Sequence, residues 1–163
     1  MLQALKNAYP EIKNIITNSS FNNPYYLSFS YITCENNCSI SASGTTINAV
    51  SYSTRDKEYI ASGYFTIVNS NFIGKGQTLT STHSYSTSSH SSGAQKFILY
   101  ATKVSTGGRT QLLSFREASK TVTLPNDGAE YYLQIYAEAR SYTGNSNGTN
   151  TSTMYISSLY IKG

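Results

Sequence analysis

Glu130-Tyr131-Tyr132-Leu133-Gln134-Ile135-Tyr136-Ala137-Glu138-Ala139-Arg140 alternates without a break. Tyr131, Leu133, Ile135, Ala137 and Ala139 occupy one phase, and Tyr132, Gln134, Tyr136, Glu138 and Arg140 the other. Successive side chains of a strand point to opposite faces, so apolar residues at every second position mark a half-buried β-strand. The same rhythm spreads outward from this stretch. Residues 95–104 hold Phe97, Leu99 and Ala101 in phase, residues 59–68 hold Phe65 and Ile67, and residues 25–31 alternate Leu27, Phe29 and Tyr31. Residues 78–85, 111–115, 120–124 and 153–162 read as further strands. Gly74-Lys75-Gly76, Ser91-Ser92-Gly93, Thr106-Gly107-Gly108 and Pro125-Asn126-Asp127-Gly128 lie between them. Glycine supplies positive φ there and proline presets the turn. About eight strands punctuated in this way predict an all-β fold, an antiparallel β-sandwich. A jelly-roll-like arrangement is favoured over an immunoglobulin type, because Trp is absent and Cys34 and Cys38 are too close in sequence to bridge two sheets. Long polar connections are expected over 36–52, 86–94 and 141–152.

Residues 1–23 follow a different rhythm. Leu2, Leu5, Tyr9, Ile12 and Ile16 are spaced three, four, three and four apart, the pattern of a coiled-coil seam. Pro10 has no amide hydrogen and suits the start of a helical turn better than its middle. The division is therefore a short helical segment over 1–23 and a sandwich domain over 24–163. The segment reads either as a stem packing against copies of itself or as a cap on its own sandwich.

Composition narrows the function. Charged residues make up only 12% of the 163, with 15 Tyr, 6 Phe and no Trp. So many aromatics and so little charge exclude a disordered chain. Ser, Thr and Asn carry solubility instead, as on secreted and virion surfaces. The net charge of +4 comes from cations scattered along the chain. A phosphate-binding face needs them to converge, so no nucleic-acid partner is expected. No segment reads as a signal peptide or has transmembrane length, and no membrane partner is expected. Asn18, Asn37, Asn147 and Asn150 open Asn-x-Ser/Thr sequons, which arise by chance in such a composition.

The chemistry-bearing residues are sparse. Cys34 and Cys38 frame Cys-Glu-Asn-Asn-Cys, where a disulfide is geometrically allowed. A metal would need two more ligands, and His83 and His90 match no zinc spacing; no metal or cofactor is expected. The two histidines flank a very polar stretch without a Gly-x-Ser-x-Gly elbow, which reads as a solvated tip. Asp56 and Glu58 are interleaved with Arg55 and Lys57, a solvated turn rather than a glycosidase pair. No catalytic residue emerges. The outward row Tyr132, Gln134, Tyr136, Glu138 and Arg140 is the richest constellation. Rings there would stack on sugars while amides and acids take their hydroxyls. It serves equally as a subunit interface, since Tyr and Arg are enriched there, or it lies under a second sheet.

Gly63-Tyr64-Phe65-Thr66-Ile67, Gln77-Thr78-Leu79-Thr80, Lys120-Thr121-Val122-Thr123-Leu124-Pro125 and the closing Met154-Tyr155-Ile156-Ser157-Ser158-Leu159-Tyr160-Ile161 resemble the structural modules of tailed-phage virions and carbohydrate-binding jelly rolls. The N-terminal seam in front is similar to the stem of a trimeric phage fibre. The resemblance implies a non-enzymatic fibre, spike or decoration module at the virion surface. Such a module would be a homo-oligomer, a trimer favoured, touching other virion proteins and host glycans during host attachment. The alternative is an extracellular carbohydrate-binding module of a secreted or cell-surface protein.

Overall fold

A computed structural model describes residues 12–16, 27–29, 38–53, 59–88, 93–141 and 148–163. Within them the chain forms twelve strands and no helix. They are β1 (Ile12–Ile16), β2 (Leu27–Phe29), β3 (Cys38–Ser43), β4 (Thr46–Ser53), β5 (Tyr59–Ile67), β6 (Phe72–Ile73), β7 (Thr78–Ser88), β8 (Gly93–Lys103), β9 (Arg109–Ser114), β10 (Lys120–Thr123), β11 (Glu130–Ser141) and β12 (Gly148–Lys162). The first sheet runs β10-β7-β12-β4-β3 with β1 also on β12; the second runs β2-β5-β11-β8-β9 with β6 also on β11. Every pairing is antiparallel. The two sheets pack as a jelly-roll-like sandwich, as the period-two pattern requires.

β11 is central to the second sheet, and its inward phase is Tyr131, Leu133, Ile135, Ala137 and Ala139, all buried. Phe97, Leu99 and Ala101 of β8 and Phe65 and Ile67 of β5 extend that layer, and Ile47, Leu79, Met154, Ile156, Leu159 and Ile161 face it from the first sheet. Fully burying such side chains contributes about 1.5–3 kcal/mol each. Ile156 and Leu159 both point inward although three residues apart, because the register of β12 shifts between Ile156 and Ser158. β5 covers one edge of β11 along Gln134–Ser141, and β6 takes over at Glu130 and Tyr131. In the gap, the buried Ser70 hydroxyl accepts the Leu133 N–H at 2.9 Å. No buried amide is orphaned at the handover.

Three expectations need correction. Residues 12–16 are a strand, not a helical turn: β1 pairs with Leu159–Lys162 of β12, and Ile15 enters the core. The β-branched isoleucines suit a pleated sheet, and the helical spacing was short enough to fit either structure. Leu2, Leu5 and Tyr9 lie outside the described residues. The expected polar connection over 36–52 is instead the β3–β4 hairpin, turned at Gly44 with φ 59°. Ile40, Ile47 and Ala49 alternate with polar residues there, a short signal beneath the high Ser/Thr content. Finally, β7 holds His83 within the expected 78–85 strand but runs on to Ser88, into the polar stretch read as a solvated tip; His90 lies outside the described residues.

Candidate functional site

Residues of β11 in the outward phase meet outward residues of its neighbours. In register, Tyr136 lies beside Tyr64 and Ile98, Gln134 beside Thr66 and Tyr100, Glu138 beside Ser62 and Lys96, and Tyr132 beside Thr102. Three tyrosines thereby converge from three strands. The Tyr64 ring centre is 5.2 Å from that of Tyr136 and 6.3 Å from that of Tyr100, with the planes tilted by 50° and 58°. Tilted rings at these separations attract beyond their buried area. All three rings are half-buried, presenting edges and part faces outward.

Arg109 opens β9, three strands away from Tyr64, a backbone span of about 14 Å. Yet its guanidinium carbon lies 3.8 Å from the Tyr64 ring centre. The arginine must therefore lie flat across the sheet, over β8 and β11. Gln134 holds it there: the Gln134 Oε1 accepts from Arg109 Nε at 3.0 Å and from Thr102 Oγ1 at 2.8 Å, while its Nε2 donates to Thr66 Oγ1 at 3.0 Å. Gln134 is only 5% exposed, so this amide is a buried tie between β5, β8, β9 and β11.

Glu138 is likewise 5% exposed. Its Oε2 accepts from the Tyr136 hydroxyl and its Oε1 from Arg140 Nε at 3.2 Å. Burial, followed by the Glu138 carboxylate beside it, pushes the Tyr136 phenol up to about 12. Burial, together with the neighbouring Tyr64, also raises Tyr100, with Arg109 opposing. The outward row is thus a real face, but two members expected at its surface, Gln134 and Glu138, are buried organisers. Tyr132, Tyr136 and Arg140 are half-buried. Among the described residues no second sheet lies over this face.

At one margin of this face, Arg109 also lines a polar hollow of about 420 Å³ with Lys103, Thr106, Gly108, Thr110, Asp127 and Tyr131. Lys103 Nζ is 2.7 Å from Asp127 Oδ2, which also accepts from the Tyr131 hydroxyl at 2.8 Å. The Asp127 Oδ1 takes the Ala129 N–H at 3.1 Å. Lys103 first, then these other donors, lower the Asp127 carboxyl to about 2. The turn behind it is tight: Gly74 donates to the Ala129 carbonyl at 2.8 Å, and a Cβ on Gly74 would lie 2.9 Å from the Pro125 carbonyl oxygen.

A serine and a histidine also meet. Ser81 Oγ is 2.8 Å from His83 Nδ1, and His83 Nε2 is 2.8 Å from the Glu117 carbonyl oxygen. A carbonyl only accepts, so Nε2 carries the proton. Ser81 has 0% exposure and points into the core, out of reach of any substrate. The Ser119 hydroxyl accepts the His83 N–H at 3.0 Å, and the imidazole stands edge-on to Phe115 at 5.0 Å. This is a tie between β7 and the β9–β10 loop. Among the described residues no group of three or more His, Cys, Asp or Glu converges to hold a metal. Cys34 lies outside the described residues, as does the side chain of Cys38 at the start of β3.

Tyr64, Tyr100, Arg109, Thr66 and Thr102 were not singled out from the sequence. Each stands in the outward phase of its own strand, so half the signal is there. The other half is which strands are neighbours, and β5, β8, β9 and β11 are not consecutive.

No protein-family profile matches the chain, and no curated protein does. Several solved structures are similar to the chain at low identity. A mutant family 29 carbohydrate-binding module is 14% identical, covering 94% of this chain and 92% of its own with a TM-score of 0.40. A family 29 module complexed with cellulohexaose is 12% identical, covering 96% and 93% with a TM-score of 0.42. At this level of similarity, function rests on the chemistry of this chain's own residues.

Proposed function

We propose that the chain is a non-catalytic carbohydrate-binding module that lays a glycan along the outer face of its second sheet. One observation carries this reading: Tyr64, Tyr100 and Tyr136 gather on that face around the ties made by Gln134, Thr66, Thr102 and Arg109. Pyranose rings offer apolar C–H faces to aromatic rings and a fringe of hydroxyls to amides, hydroxyls and guanidinium groups. A site on paired strands with locked rotamers needs little reordering when ligand arrives. Extracellular display suits such a module. The fold offers no observation that favours the virion fibre or the trimer over this reading, and the glycan reading takes their place.

Tyr100→Ala tests it. The Tyr100 ring stands on the face, and the variant leaves the Gln134 and Glu138 ties intact. On a glycan array, the parent chain should bind at least one polysaccharide class at micromolar concentration. Tyr100→Ala, folded by circular dichroism, should bind about tenfold more weakly, the loss of one aromatic contact plus its buried area. Unchanged binding by the variant would move the site elsewhere.

A further inference from the structure

Arg109 is held by two contacts, and no ion pair among the described residues neutralises it. Its planar guanidinium is stacked on Tyr64, its Nε is engaged by Gln134, and it lines the hollow beside Asp127. It stands in no ion pair among the described residues: Asp127 is engaged by Lys103, and Glu138 by Arg140. Both Nη groups therefore remain available, in a fixed plane, at the margin of the tyrosine cluster. Lys96, exposed on the same face in register with Glu138, is likewise in no ion pair there. The outward phase of β11 carries two acids, Glu138 paired with Arg140 and Glu130 at its far end taking a hydrogen bond from Asn71 at 3.1 Å, while Arg109 and Lys96 stand in no ion pair among the described residues. A neutral sugar gives such an arrangement nothing to neutralise. An oriented guanidinium fork matches a planar carboxylate, or two oxygens of a sulfate, through two parallel hydrogen bonds.

We propose that the site selects anionic sugars, with Arg109 receiving a ring carboxylate or sulfate while the tyrosines carry the ring. The inference rests on the glycan reading above and adds the class of sugar. The sugar that Arg109 receives sits at the mouth of the 420 Å³ hollow, a volume within the range of small-ligand sites. The Lys103–Asp127 pair would line its wall without net charge.

The test is titration calorimetry with mannohexaose, its uronate counterpart oxidised at C6, and sulfated mannohexaose, against the parent chain, Arg109→Gln and Arg109→Lys. The proposal predicts that an acidic hexasaccharide binds about tenfold to a hundredfold more tightly than the neutral one. That advantage should shrink with added salt. Arg109→Gln should abolish it and Arg109→Lys recover only part, since a lysine keeps the charge but not the fork. Whichever of the two acidic ligands gains identifies the anion. Equal affinity for all three sugars, or an acid preference that survives Arg109→Gln, overturns the proposal and leaves the glycan reading standing. No binding to any of them, with none on the array, overturns both. Tighter binding of a hexanucleotide than of any sugar would assign the cations to phosphate instead and overturn the proposal as well.

Discussion

Gln134 shows how much one side chain can organise. It accepts two hydrogen bonds and donates a third from a buried position, and through them it fixes Arg109 over Tyr64. Gln134→Ala leaves the Thr102 and Thr66 hydroxyls without that partner, so it should lower unfolding stability by about 1–3 kcal/mol. It should also release Arg109, which would be read as a weaker acid preference at the site. Asp127 offers a second residue-scale test. Its carboxyl is lowered from 3.8 to about 2, chiefly by Lys103 and then by the Tyr131 hydroxyl. A depressed carboxyl adds stability that is complete above its unfolded value and disappears as pH falls through its folded one. Asp127→Asn should therefore melt below the parent at pH 7, and the gap should narrow between about pH 4 and 2. A gap independent of pH would mean that the turn geometry, not the charge, is what Asp127 supplies.

At the scale of elements, β7 is held from both sides. β12 and β10 pair with its edges, and His83 ties it to the loop that carries Glu117 and Ser119. His83→Ala removes the imidazole bonds and the edge-on contact with Phe115, and should cost about 2–3 kcal/mol in denaturant unfolding. Strands such as β11, β8 and β5 were legible in the sequence because each buries one complete phase. Leu133, Ile135 and Ala137 leave no doubt about period or direction. β3 and β4 were not legible, since Ser and Thr fill both phases and Ile40 and Ile47 stand nearly alone. β1 was read as helix because five apolar residues spaced by three and four satisfy a seam, whereas pairing with β12 is a long-range event that no local spacing records. The site was half legible for the same reason: the outward row of β11 is a local pattern, while the meeting of Tyr64, Tyr100 and Arg109 depends on sheet order.

The whole molecule has two outer faces. On the first sheet, hydroxyl and amide side chains satisfy one another across strands, as in Thr80 with Thr121 at 2.9 Å and Thr153 with Asn48 at 2.8 Å. Tyr52, Tyr155 and Tyr160 also stand in outward phases of that sheet, whereas the second sheet gathers Tyr64, Tyr100 and Tyr136 together and lays the guanidinium of Arg109 over one of them. A single core serves both, so the same period-two chain that builds the sandwich also sorts its two surfaces. On this reading only the second face binds sugar. The most direct test is to follow backbone amide shifts of the isotope-labelled protein during titration with mannohexaose and its uronate counterpart. Shifts should concentrate on β5, β8, β9 and β11, with Tyr64, Tyr100, Arg109 and Gln134 among the largest. Shifts centred on β4, β7 and β12, or none with either sugar, would contradict it.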